Sequence, residues 1–115
     1  MSITIYHNPN CGTSRNTLQA IRDAGHEPTV VEYLKEPLDA GGIRALLASL
    51  GARPRDILRR RGTPYDELGL DDPKWTDDQL VDFMAAHPIL IERPIVVTDK
   101  GARLCRPSET VQELL

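Results

Sequence analysis

Ile3-Thr4-Ile5-Tyr6-His7-Asn8-Pro9-Asn10-Cys11-Gly12-Thr13-Ser14-Arg15 is the stretch from which the fold is read. Ile3 to Tyr6 alternates in the way a half-buried strand requires. Asn8-Pro9-Asn10 is turn chemistry, and helical periodicity begins just beyond it. Cys11 therefore stands at a strand-to-helix junction. Unpaired backbone N–H groups and the macrodipole put about half a positive charge at a helix N-terminus, which favours thiolate over thiol. A cysteine pKa of about 8.5 falls to roughly 3.5–7.5 in such a site. The alternative is a small buried residue that follows a strand. Structural cysteines of that kind lie inside apolar runs, whereas Cys11 is surrounded by Asn, Pro, Gly, Thr and Ser, so the reactive reading is preferred.

Outward from this stretch, Thr13 to Ala24 reads as a helix with Leu18 and Ile21 on one face and Gly25 as its stop. Thr29-Val30-Val31-Glu32-Tyr33 reads as a second strand, closed by Glu36-Pro37. A β-α-β unit with a right-handed crossover implies parallel pairing. From Asp39 to His87 the sequence turns helical. Ile43, Leu46, Leu47 and Leu50 form an apolar stripe ended by Gly51, and a short segment follows from Pro54 to Arg61. Thr76 opens another helix, with Gln79 completing a capping box, and His87-Pro88 ends it. Ile95 to Thr98, Asp99-Lys100-Gly101 and Ala102 to Cys105 read as an antiparallel hairpin, after which Ser108 is expected to cap a terminal helix. The expected architecture is α/β, one domain over residues 1–115: a four-stranded mixed sheet with flanking helices and a helical insert over about 39–87.

The chain has 115 residues and a net charge of −3, so no basic balance points to nucleic acid. No apolar run is long enough to span a membrane, and Met1-Ser2 leads straight into a strand without a signal-peptide pattern. Two cysteines make a poor disulfide framework for a domain of this size, and a reducing, cytoplasmic location is expected. The cysteines and three histidines show no paired ligand spacing, so no metal is expected. Gly41-Gly42 lies in the insert rather than after a strand and is no phosphate loop. His26 and His87 receive no role, and Cys105, in a strand pattern, is expected to pack rather than react.

The element order, with a cysteine at the first β-to-α junction and Arg93-Pro94 opening the third strand, resembles the thioredoxin–glutaredoxin fold. More specific are the local words Ile5-Tyr6-His7-Asn8-Pro9, Cys11-Gly12-Thr13-Ser14-Arg15-Asn16-Thr17-Leu18, Pro64-Tyr65-Asp66-Glu67-Leu68-Gly69-Leu70, His87-Pro88-Ile89-Leu90-Ile91, Arg93-Pro94-Ile95-Val96-Val97 and Arg103-Leu104-Cys105-Arg106-Pro107-Ser108-Glu109. Together they resemble the glutaredoxin-coupled arsenate reductase family over essentially the whole chain. The resemblance implies Cys11 as nucleophile and His7 as a neighbour that tunes its ionisation. It implies Arg59, Arg93 and Arg106 as oxyanion-binding side chains and a cis peptide before Pro94. It also implies arsenate as substrate, glutathione as co-substrate without a bound cofactor, and glutaredoxin as protein partner. Asn10 departs from the small residue usual before the cysteine.

Elementary electrostatics agrees with these arginines. A thiolate about 3.5 Å from an oxyanion feels roughly 5 kcal/mol of repulsion per charge pair at an effective dielectric near 20. One helix terminus cannot offset that, whereas guanidinium forks bind two oxyanion oxygens each. A phosphatase-type loop needs arginine six residues after its cysteine, and position 17 is Thr17, so the arginines must come from distant segments. Arg59 shares a run with Arg53, Arg55, Arg60 and Arg61, and such a run is usually a solvated face. Ser14 occupies the place of the resolving thiol in a Cys-x-x-Cys motif, so no internal disulfide can form there and the electrons must come from another thiol. Its hydroxyl is expected to hydrogen-bond the Cys11 thiolate. Two rivals remain: a regulator of the same fold family that binds RNA polymerase, against which Ser14 argues, and a relative with another thiol substrate, against which the three arginines argue.

Overall fold

A computed structural model describes all 115 residues. Strand β1 (Thr4–Tyr6) leads into helix α1 (Gly12–Asp23) and strand β2 (Thr29–Val31). Helices α2 (Ala40–Leu50) and α3 (Asp77–Ala86) follow, each succeeded by a short 3₁₀ turn, at Pro54–Ile57 and Pro88–Leu90. Strands β3 (Ile95–Thr98) and β4 (Gly101–Leu104) and a 3₁₀ segment (Ser108–Leu114) complete the chain. The sheet order is β2-β1-β3-β4. β1 pairs parallel with β2, and β3 pairs antiparallel with β1 and β4, which makes the expected four-stranded mixed sheet. No helix is long and apolar enough to cross a membrane.

The chain forms two compact units, one of Met1–Glu36 with Arg93–Leu115 and one of Pro37–Glu92. In the sheet unit, Ile3, Ile5, Ile21, Val96, Cys105, Val111 and Leu114 form the buried core, with Leu18 partly buried against it. α1 ends as Gly25 requires. With φ at +88°, Gly25 turns its N–H to the Arg22 carbonyl while His26 N–H reaches Ile21, the paired bonds of a Schellman motif. β2 stops at Val31 rather than at Tyr33, because the Glu32 carbonyl accepts the N–H groups of Lys35 and Glu36 and starts a turn. The last segment is also not the capped helix expected. Ser108 makes no side-chain cap, Pro107 takes the capping position, and the backbone winds as 3₁₀. Three residues per turn set Val111 and Leu114 on one side, and both are buried.

In the second unit, Asp39 caps α2 through the Gly42 N–H at 2.7 Å, and Thr76 and Gln79 form the capping box of α3. The stripe residues Ile43, Leu46 and Leu47 are buried, as are Leu80, Val81 and Met84 of the facing helix. This unit runs past His87 to Glu92. Leu58 and Ile91 form an antiparallel bridge, flanked by Arg59 N–H to Leu90 at 2.7 Å and Glu92 N–H to Ile57 at 2.8 Å. That short ribbon fastens the chain immediately before it enters Arg93.

Candidate active site

Cys11 occupies the N-cap position of α1 in extended conformation, φ −101° and ψ 121°. Its N–H donates to the Asn8 carbonyl and its own carbonyl accepts the Arg15 N–H, each at 3.0 Å. The thiol is half-buried. Burial pushes its pKa up, but the Ser14 backbone N–H and the Arg93 and Arg106 guanidinium groups outweigh it and lower the thiol from 9.0 to about 7. Ser14 N–H faces the sulfur from the third position of the helix without the geometry of a full capping bond. Arg106 Nη1 lies 3.6 Å from the sulfur and donates to the Arg93 carbonyl at 2.9 Å, so one arginine's main chain fixes the other's side chain.

Arg93 carries the most informative feature of the site. Its Nε and Nη1 are buried and have no hydrogen-bond partner. An orphaned buried charged donor is costly, and here two of them, pointing to different sides of one guanidinium, are left for acceptors such as oxyanion oxygens to satisfy. The Arg93-Pro94 peptide is cis, as the resemblance implies, and so is Arg106-Pro107, for which the sequence carries no signal.

His7 is buried and its Nδ1 lies 2.6 Å from Ser14 Oγ. The Asn8 N–H donates to the same hydroxyl at 3.1 Å. The expectation that the Ser14 hydroxyl bonds the thiolate is therefore corrected: the side chain is held by His7 and Asn8, and the Ser14 main chain is what faces the sulfur. The reason is helix geometry, since side chains lean toward the helix N-terminus and carry Oγ back over the incoming loop. His7 likewise meets Ser14 rather than the sulfur, and the influences on the Cys11 charge come from Ser14, Arg93 and Arg106.

Two further loop-forming residues escaped the sequence reading. Asn8 is buried, and its Oδ1 accepts the Asn10 N–H at 3.0 Å. Arg15 Nη1 donates to the Pro9 carbonyl at 2.9 Å. The signal for Asn8 was the Asn-Pro-Asn turn itself, in which the first side chain commonly bonds the backbone two residues on. Asn10 is exposed, so its departure from a small residue leaves the sulfur's surroundings alone.

The structure thus gathers Cys11, Ser14, His7, Arg93 and Arg106 in the sheet unit. Arg59 belongs to the second unit. Its Nη1 pairs with Glu92 at 2.6 Å, with both side chains largely shielded from solvent. Its Nε donates to the Arg61 carbonyl at 3.0 Å. The remainder of the run is a solvated face, as its composition suggested: Arg53 pairs with Asp77 and Arg60 with Asp66 in the open, while Arg55 reaches the Leu70 and Asp72 carbonyls. The Arg59 side chain is the shielded one, against the open pairs of Arg53 and Arg60. Cys105 lies fully buried in the sheet core, and burial pushes its thiol up to about 12.

A mixed sheet with its thiol at the first strand-to-helix junction is a thioredoxin-like fold, and two arginines on an activated sulfur make it one equipped for an anionic reaction partner. The ArsC family matches residues 6–114. The chain is 59% identical over 114 residues to an arsenate reductase of Acidiphilium multivorum, covering 99% of this chain and 81% of that one. It is 58% identical over 114 residues to an arsenate reductase of Escherichia coli, with the same two coverages, 99% and 81%. A solved structure, an arsenate reductase from Vibrio cholerae, superposes with a TM-score of 0.95 at 43% identity, covering 100% of this chain and 98% of that one. This chain belongs to the ArsC family.

Proposed function

We propose that this protein is an arsenate reductase that uses Cys11 as nucleophile and external thiols as reductant. The observation that carries the reading is the Arg93 guanidinium, with Nε and Nη1 buried and unpartnered next to an activated cysteine. Family membership and the arsenate reductases among its relatives support it. In the ArsC setting the Cys11 thiolate attacks arsenate and one oxygen leaves as water, giving a sulfur–arsenic(V) adduct. Arg93 and Arg106 hold the remaining oxygens and the charge that develops on them. Arg59 is carried over from the family resemblance as the third oxyanion-binding side chain. Glutathione displaces a second oxygen. A glutaredoxin thiolate then attacks the glutathione sulfur, leaving its electron pair on arsenic and forming a mixed disulfide. Hydrolysis of the resulting Cys11–arsenic(III) bond releases arsenite and restores the thiol. One thiol from glutathione and one from glutaredoxin supply the two electrons, and the reaction belongs in the reducing cytoplasm.

The chain's own thiols support an external reductant. Ser14 holds the position of a local resolving cysteine, and Cys105 is sealed in the core. The test is reduction of arsenate by purified protein with glutathione and glutaredoxin, each omitted in turn. Activity should require both, and Cys11→Ser should abolish it. Turnover that survives Cys11→Ser would overturn the mechanism. An RNA-polymerase-binding regulator has no use for two unpartnered buried guanidinium donors, and the same assay separates it from an enzyme.

A further inference from the structure

The buried polar trio of His7, Asn8 and Ser14 settles a proton that the reaction scheme leaves open. A serine hydroxyl carries one proton to donate and two lone pairs to accept with. Ser14 is fully buried, so that proton needs a protein acceptor. Two groups reach Ser14 Oγ: the Asn8 N–H at 3.1 Å and His7 Nδ1 at 2.6 Å. The Asn8 N–H can only donate, so Nδ1 is the sole acceptor available. A proton on Nδ1 would set two donors on one oxygen and strand the hydroxyl hydrogen in the core.

We propose that His7 is held as the neutral Nε2–H imidazole, accepting the Ser14 hydroxyl at Nδ1, and that it is a positioning residue acting on Cys11 through Ser14 rather than through a charge of its own. Nε2–H is free to meet solvent, since the buried side-chain polar atoms without partners are both on Arg93. The ring's surroundings agree. Burial disfavours the imidazolium most, Glu32 just beyond β2 opposes that, and Arg22 and Arg15 of α1 reinforce it, with the net result a lowered pKa. The chain of contacts is then short. His7 fixes the Ser14 side chain at the third position of α1, and the same residue's N–H faces the sulfur. This inference rests on Cys11 as the nucleophile, and its readouts need no arsenate.

Nitrogen-15 NMR of the wild-type protein, labelled at histidine, reports the tautomer directly, with the His7 signals assigned by their loss in His7→Asn. Across the pH range in which Cys11 ionises, Nδ1 should resonate as an unprotonated ring nitrogen and Nε2 as a protonated one. An imidazolium, or the Nδ1–H tautomer, refutes the proposal. The second readout is iodoacetamide alkylation of Cys11 against pH in two variants. Asn carries an oxygen where histidine has Nδ1 and can accept from Ser14, whereas Leu cannot. His7→Asn should keep the alkylation midpoint near that of wild type, and His7→Leu should raise it by about one pH unit, a tenfold fall in the thiolate-to-thiol ratio on the scale of one hydrogen bond. Equal displacement in both variants would mean that the imidazole acts by its charge, against the proposal. The wild-type spectrum decides the tautomer even if His7→Leu folds poorly.

Discussion

Arg93→Ala separates two effects that the geometry combines in one side chain. The first acts on the sulfur. With a Cys11 pKa of about 7, about half of the thiol is ionised at neutral pH. Removing the Arg93 contribution and raising that pKa by about one unit leaves about a tenth ionised, a fivefold loss at neutral pH. About two units above the wild-type midpoint both proteins are almost fully thiolate, and this loss disappears. The second effect acts on the oxyanion and is independent of the sulfur's ionisation. On the proposed reading, buried donors that now lack partners gain charge-assisted hydrogen bonds when substrate arrives. Their removal should cost about 2–4 kcal/mol, or about 30- to 1,000-fold in kcat/KM. Arg93→Lys keeps a cation beside the sulfur but not the fixed planar set of guanidinium donors, so it should retain the thiolate and lose most of the anion affinity. Alkylation by iodoacetamide gives the first effect, and protection against alkylation by arsenate gives the second without coupling enzymes. If the Arg93→Ala deficit vanishes at high pH, Arg93 serves the sulfur alone and its orphaned donors are no anion site. Wild-type behaviour of Arg93→Lys would refute the argument that the guanidinium's fixed donors, and not its charge alone, hold the anion.

Arg59→Ala should reduce kcat/KM by at least about 30-fold, whereas Arg60→Ala, whose guanidinium pairs with Asp66 at the surface, should stay near wild type; equal behaviour of the two would mean that Arg59 has no part in the reaction. Folded protein treated with iodoacetamide near neutral pH should be labelled at Cys11 and not at Cys105, whose thiol burial holds up at about 12, and peptide mapping checks this. Cys105→Ala should sustain arsenate reduction with glutathione and glutaredoxin, and a Cys11–Cys105 disulfide trapped after one turnover would reveal an internal relay instead. Stability should rise with pH on two counts. The lowered Cys11 pKa adds stability that is complete above the unfolded value of 9.0 and is lost as pH falls through about 7. A neutral buried His7 resists a proton that the unfolded chain takes up below 6.5, so acidification past that point destabilises. Urea midpoints measured across this range should fall steadily toward acid, and a flat profile contradicts both shifts.

The sheet was legible because its strands obey local rules. Ile3 to Tyr6 alternates, and Thr98 and Gly101 pair across Asp99-Lys100, as hairpin chemistry demands. The capping box at Thr76 was readable for the same reason. The terminal 3₁₀ segment was not, since Ser108 followed by apolar residues looks the same for either helix until packing selects Val111 and Leu114. At the site, Cys11 was legible from its junction. Arg59 could not be told from Arg60 or Arg61 by composition, because shielding by Glu92 depends on the Leu58–Ile91 bridge across more than thirty residues. The Ser14 hydroxyl was misdirected for a related reason: which side of a helix end a side chain takes depends on where the preceding loop runs.

The charge arrangement around Cys11 explains why two arginines, and not one, accompany the thiolate at rest. A single guanidinium facing a single thiolate would be neutralised before substrate arrived, and an incoming dianion would meet no net attraction. With Arg93 and Arg106 together, the sulfur's charge is compensated and one positive charge remains. Arg106 Nη1 is committed to the sulfur and to the Arg93 carbonyl, and the buried donors left without partners are Nε and Nη1 of Arg93. Strand-like alternation then accounts for the neighbouring thiol. Arg106 turns toward Cys11 while adjacent Cys105 turns into the apolar core. The geometry that completes the cation pair also keeps the second cysteine in the apolar core, away from the Cys11 sulfur.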